Sequence, residues 1–97
     1  MTIDFSRTIN ALNDEPLKDE RQAPITLGSV AIAALLAEYR DEKLTAEDKV
    51  HRWKLARAVH GASQVQLPVE DVALIKRLIG IGYGPIIVGQ AVEILEG

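Results

Sequence analysis

Pro24-Ile25-Thr26-Leu27-Gly28-Ser29-Val30-Ala31-Ile32-Ala33-Ala34-Leu35-Leu36-Ala37-Glu38-Tyr39 marks a change in how the chain is written. Thr26 suits a helix N-cap, because its hydroxyl can accept from a free first-turn amide. Val30, Ile32, Ala33, Leu35, Leu36 and Tyr39 then supply a broad apolar face at helical spacing, reinforced by alanines at 31, 33, 34 and 37. The spacing predicts a helix from Leu27 that the charged stretch Arg40-Asp41-Glu42-Lys43 closes.

Toward the C-terminus, Thr45 with Asp48 three positions on reads as a capping box. The helix it opens runs through Val50, Trp53, Leu55, Ala56 and Val59, with Trp53 on the apolar stripe, and stops at Gly61. Gln64 to Leu67 is a short extended link. Pro68, followed by Glu70 and Asp71 in a first turn, favours a third helix through Val72, Ile75, Leu78 and Ile79. The run Gly80-Ile81-Gly82-Tyr83-Gly84 is expected to break it, and Pro85 to begin a fourth helix carrying Ile87, Val88, Ala91, Ile94 and Leu95 on one face. Gly89 falls inside that helix, where close approach of another helix is the expected reason for it.

Toward the N-terminus, Ile3 and Phe5 alternate with Asp4 and Ser6, the period of a short strand with one buried face. Asn13-Asp14, Pro16, Pro24 and the charge run Lys18-Asp19-Glu20-Arg21 rule out a lasting helix between Asn10 and Pro24. A small hairpin or paired extended arms are expected there, with an unpaired edge open to another chain. No internal repeat is evident. The resulting expectation is a mostly α, α+β single domain over 1–97. An extended or hairpin arm occupies 1–25, and about four helices form a compact bundle over 26–97.

The 97 residues are enough for one core that buries roughly two-thirds of the unfolded surface. A composition of 47% hydrophobic and 26% charged residues is that of a folding chain. Without cysteine there are no disulfides, thiolate metal sites or cysteine nucleophiles. Met1 to Arg7 carries an early acid and no apolar run, so no secretory signal is expected. Leu78 to Val92 is uncharged, but it is shorter than the roughly 20 residues of a spanning helix. These features point to a cytoplasmic protein. The net charge of −3 divides unevenly, with ten acids and six bases in residues 1–50 against four acids and five bases in 51–97.

Catalytic patterns are weak throughout. His51 and His60, nine residues apart on one helix, point to opposite sides of it and make no metal site. His51 is expected at the surface near Glu47, and His60 in the last helical turn. Gly28-Ser29 lacks the second glycine of a nucleophile elbow. Glycines 80, 82 and 84 precede a helix with neither a Lys-Ser/Thr pair nor a convincing strand, so a packed helical turn is favoured over a phosphate cradle. Lys49, Arg52, Lys54 and Arg57, with no acid from 49 to 69, form a basic face that could meet phosphates or a partner. Arg57 could instead pair with nearby acids. Asp14, Glu15, Asp19 and Glu20 form an acidic counterpart that could cover a basic site on a host enzyme.

Pro24-Ile25-Thr26-Leu27-Gly28, Arg52 with Leu55-Ala56, Glu70-Asp71-Val72-Ala73-Leu74-Ile75-Lys76, Val88-Gly89-Gln90-Ala91 and Leu95-Glu96 together resemble small uncharacterised proteins of tailed bacteriophages and prophages. The likeness covers about Leu17 to Glu96 and brings no active-site residue with it. It departs at Pro68, where such proteins are expected to carry a serine or threonine cap. The resemblance implies a bacterial cytoplasmic or virion setting and a role through protein contacts. The expectation is therefore a non-enzymatic interaction module, an assembly factor or small structural component, with a phage or host protein as partner. Self-association is one form such a role can take. A host-directed modulator and a nucleic-acid-binding regulator acting through 49–57 are the alternatives, and no cofactor or membrane partner is expected.

Overall fold

The computed structural model describes residues 1–97. Its elements run β1 (Thr2–Asp4), α1 (Leu27–Leu36), α2 (Ala46–Val59), β2 (Gln64–Gln66), α3 (Val69–Gly82) and α4 (Pro85–Glu96). Four helices with a short antiparallel strand pair match the class the sequence predicts. The partner of β1 comes from the 64–67 link, with Thr2 opposite Gln66, Ile3 opposite Val65 and Asp4 opposite Gln64. The amides of Leu67 and Phe5 extend this ladder at 2.7 Å to the carbonyls of Met1 and Ser63. Ile3 and Phe5 both face the core and are buried, as their alternation requires.

The first turn of α1 is satisfied amide by amide. Leu27 N–H donates to the Arg7 carbonyl and Gly28 N–H to the Phe5 carbonyl, each at 2.8 Å. Ser29 N–H donates to the Thr26 hydroxyl and Val30 N–H to the Thr26 carbonyl. A helix start leaves four amides without intrahelical partners. Here the Thr26 cap and the N-terminal segment take up the free ones, so the helix is docked onto the strand end that precedes the arm.

The arm itself contains an eight-residue backbone repeat, although its residues show no obvious repetition. The amides of Ile9, Leu17 and Ile25 donate to the carbonyls of Ile25, Ile9 and Leu17 respectively, at 2.7 to 2.9 Å, closing a three-membered ring. Isolated bridges Thr8–Thr26, Asn10–Pro16 and Lys18–Pro24 flank it. Between the three arms lie two matching turns: Asp14 N–H to Ala11 and Ala11 N–H to Glu15, then Gln22 N–H to Asp19 and Asp19 N–H to Ala23. Asp14 and Gln22 hold φ of 66° and 63° at equivalent points, the left-handed residue of a three-residue hairpin loop. Pro16-Leu17 and Pro24-Ile25, eight residues apart, are the trace of the repeat in the sequence. The expected open edge is covered at Asn10, whose amide donates to Gln90 Oε1 at 2.8 Å while Gln90 Nε2 donates back to the Asn10 carbonyl at 2.6 Å.

Helix α1 packs against both α2 and α3, α3 packs against α4, and α4 reaches β1. One apolar cluster includes Ile3, Phe5 and Ile9 together with side chains from all four helices. The seam of α1 is Leu27, Val30, Ala31, Ala34 and Leu35, a strict helical stripe, whereas Leu36 is more than half exposed. In a helix apolar on nearly every side, periodicity does not say which side is buried. The helix ends at Leu36, ahead of Arg40–Lys43, and Tyr39 lies in the following loop. Capping boxes form at Thr26/Ser29 and Thr45/Asp48, and Gly61 takes φ of 72° just past the His60 C-cap.

Two glycine expectations are corrected. Helix α3 continues through Gly80 to Gly82, since both glycines keep helical geometry and the break falls at Tyr83 and Gly84. A Cβ on Gly89 would meet nothing within 4 Å, so no helix presses on it. Gly28 is the position of close approach: a Cβ there would lie 3.0 Å from the Phe5 carbonyl oxygen that its own amide bonds. Gly28→Ala is expected to destabilise the fold by about 1–3 kcal/mol, and Gly89→Ala to stabilise it by about 0.5–1 kcal/mol. Urea unfolding of the two variants beside the parent chain measures both.

Candidate functional site

The buried stripe of α2 starts with a charge. Arg52, Leu55, Ala56 and Val59 face inward, and Arg52 is only 5% exposed. Its guanidinium makes two parallel bonds to Glu42, Nη1 to Oε1 and Nη2 to Oε2, both 2.8 Å. Arg77 of α3 adds a longer contact from Nη1 to Glu42 Oε2 at 3.4 Å. One carboxylate on the 37–45 loop thus ties that loop to α2 and α3. The hydrogen bonds from Arg52, with help from Arg77, hold the Glu42 carboxyl below its usual range against the opposing effect of burial. In the same loop the Tyr39 hydroxyl donates to the Ala34 carbonyl at 2.7 Å, and burial pushes its phenol up.

Above this pair lies an open cleft of about 500 Å³ between the end of α1, the 37–45 loop and the first turns of α2. Leu35, Leu36, Tyr39 and Trp53 give it an apolar floor and wall, and Lys43 and Lys49 stand at it as cations. Trp53 is 48% exposed and is not a core residue. It stands one position past Arg52, about 100° around the helix from the buried seam. Arg57 lies over its ring, 4.9 Å from the centroid, in a cation–π contact rather than an ion pair with an acid. A second, smaller cleft on the other side of Trp53 is lined by Ile32, Leu36 and Ala56. Val50, read as part of the apolar stripe, is half exposed on the same outer face.

The predicted basic face is therefore divided. Lys49, Lys54 and Arg57 are solvent-facing, whereas Arg52 points inward and is committed to Glu42. None of the chain's four ion pairs uses Lys43, Lys49, Lys54 or Arg57. The acidic group Asp14, Glu15, Asp19 and Glu20 lies on the two exposed turns of the arm, also without ion pairs. Asp19 Oδ1 accepts from the amides of Arg21 and Ala23, which gives that acid a role in shaping its turn. His51 reaches across to α3, with Nε2 2.8 Å from Asp71 Oδ1, and is not engaged with Glu47. The sequence reading missed Glu42 as the partner of Arg52. Its only signal was an acid in a loop opposite an arginine that takes a seam position at i, i+3, i+4, i+7.

No three histidine, aspartate or glutamate side chains converge as metal ligands, and no helix is long and apolar enough to cross a membrane. Comparison of the chain with protein-family models, with curated proteins and with solved structures found no match.

Glu42→Gln leaves the Arg52 guanidinium buried without its counter-charge. The expected cost is about 2–3 kcal/mol, below the roughly 3–5 kcal/mol of a fully buried pair because the carboxylate keeps some contact with solvent. Since folding lowers the Glu42 pKa, its contribution is complete above the ordinary glutamate value of 4.5 and is lost as pH falls through the lowered value. Urea midpoints of the parent chain should drop across that acid window, and Glu42→Gln should flatten this part of the profile.

Proposed function

We propose that this chain is a non-enzymatic protein–protein interaction module of phage or prophage origin, an assembly factor or small structural component, acting in the bacterial cytoplasm or within the virion. The observation that carries the reading is the half-exposed Trp53, set beside exposed Leu36 between two clefts and fringed by cations that form no ion pair within the chain. Tryptophan in such a setting is a common energetic centre of protein interfaces, because it removes much apolar area from water at small rotamer cost. An exposed apolar patch with a polar rim is the usual mark of a protein contact site. The phage setting rests on the resemblance carried by Pro24–Gly28, Glu70–Lys76 and Val88–Ala91.

The nucleic-acid alternative keeps only Lys49, Lys54 and Arg57, because a guanidinium locked onto Glu42 is poorly placed to meet a phosphate. The host-modulator alternative keeps its full acidic set on the arm.

Affinity capture with the tagged chain from bacterial lysates, with and without an active prophage, tests the reading. Retention of phage structural proteins from the prophage-bearing lysate alone, weakened about 30-fold or more by Trp53→Ala, is the expected result. Recovery of one host enzyme from both lysates, abolished by neutralising Asp14, Glu15, Asp19 and Glu20, would make the chain a host modulator. Retention of nucleic acid lost on replacing Lys49, Lys54 and Arg57 would make it a regulator.

A further inference from the structure

The first turn of the arm carries an apolar side chain that nothing in its own chain covers. Leu12 is 91% exposed, the most exposed large hydrophobic residue of the molecule, at the tip of the tight Ala11–Glu15 turn. Asp14 and Glu15 follow it on the same turn, after Asn13, exposed and without ion pairs. The cleft beside Trp53 has the complementary character: an apolar wall of Leu36, Tyr39 and Trp53, with Lys43 and Lys49 free of ion pairs beside it, two cations that outnumber the one acid there without an ion pair, Glu38.

We propose that the Leu12 tip of one copy docks into the Trp53 cleft of a second copy, Leu12 against Leu36 and Trp53, with Asp14 and Glu15 facing Lys43 and Lys49. Three features on the two surfaces favour a copy of this chain as the occupant. The charges are opposite, the tip is a tight turn closed by the hydrogen bonds of Ala11 with Asp14 and Glu15, and the apolar residue and the two acids share that turn within four residues. A turn already closed by two backbone hydrogen bonds has less backbone freedom to lose on binding than an open loop. Tip and cleft are different surfaces, so two copies that exchange tips close a two-fold dimer, and a one-way contact is head-to-tail. Such contacts build rings where the rotation closes and filaments where it does not. The proposal rests on the interaction reading above and names a partner for the same face.

Sedimentation of the full chain over a concentration series, at about 50 mM and about 500 mM salt, provides the test. The expected result is association that rises with concentration and is weakened by salt, with the fluorescence of the single tryptophan shifting as association proceeds. Leu12→Asp should weaken association at least tenfold. The double change Lys43→Glu/Lys49→Glu and the double change Asp14→Lys/Glu15→Lys should each abolish it. Mixed together, these two proteins should associate again, because each then offers the surface the other lacks. Circular dichroism melting checks that all three variants fold, as their exposed positions lead one to expect.

A parent chain that stays monomeric at millimolar concentration would overturn the proposal. So would association that Leu12→Asp leaves intact, a mixture that fails to recover, or an acidic peptide or nucleic acid filling the cleft while the chain remains a monomer. Leu12→Asp leaves the cleft itself unaltered, so a foreign protein held through Trp53 would still be captured by it. Failure of self-association is thereby separable from failure of the interaction reading.

Discussion

The rest of the structure depends on the docking of α1 onto the chain that precedes the arm. Amides of its first turn donate to the carbonyls of Arg7 and Phe5, and the Phe5 amide in turn donates to Ser63 at the end of the β1–β2 ladder. A buried helix start with unmet amides is costly, so these bonds locate α1 as firmly as its apolar seam does. Gly28 eases the approach, because a Cβ there would sit 3.0 Å from the Phe5 carbonyl oxygen and press it back by a few tenths of an ångström. With α1 placed, α2 and α3 pack on its two sides, and α4 closes against α3 and β1.

The arm is an adjunct to that scaffold with a logic of its own. Its three segments satisfy one another through the ring at Ile9, Leu17 and Ile25, which leaves the two turns between them projecting. Ile9 is fully buried, while Leu17 and Ile25 pack against the core from its margin. Gln90 of α4 closes the backbone of Asn10 with one amide group serving as both acceptor and donor. Of the acids gathered on the projecting turns Asp19 shapes its own turn, and Asp14, Glu15 and Glu20 form no ion pair within the chain.

A related division of labour governs α2. Its inner side spends an arginine on Glu42, a choice that adds little net stability over an apolar residue but fixes where the 37–45 loop must lie. That loop, held also by the Tyr39 hydroxyl at the end of α1, forms one wall of the cleft. The outer side of α2 carries Trp53, Val50 and cations free of ion pairs. The buried ion pair thus acts on the candidate site by shaping the ground around it.

The sequence by itself determined the local features, because each rests on neighbours within one turn of the chain. The caps at Thr26 and Thr45, the stop at Gly61, Pro85 at the start of α4, and the inward alternation of Ile3 and Phe5 are all of this kind. Only the tertiary structure decided what depends on contacts between distant segments. Pairing of Gln64–Gln66 with Thr2–Asp4 and the bond of Gln90 to Asn10 join parts of the chain whose residue types carry no mark of one another, and the eight-residue ring leaves only the spacing of Pro16-Leu17 and Pro24-Ile25 as its trace. The sidedness of α1 and α2 belongs to the same group. A helix apolar nearly all round does not specify its buried stripe, and in α2 an arginine with a carboxylate within reach took the inner position and left the tryptophan about 100° away, facing solvent.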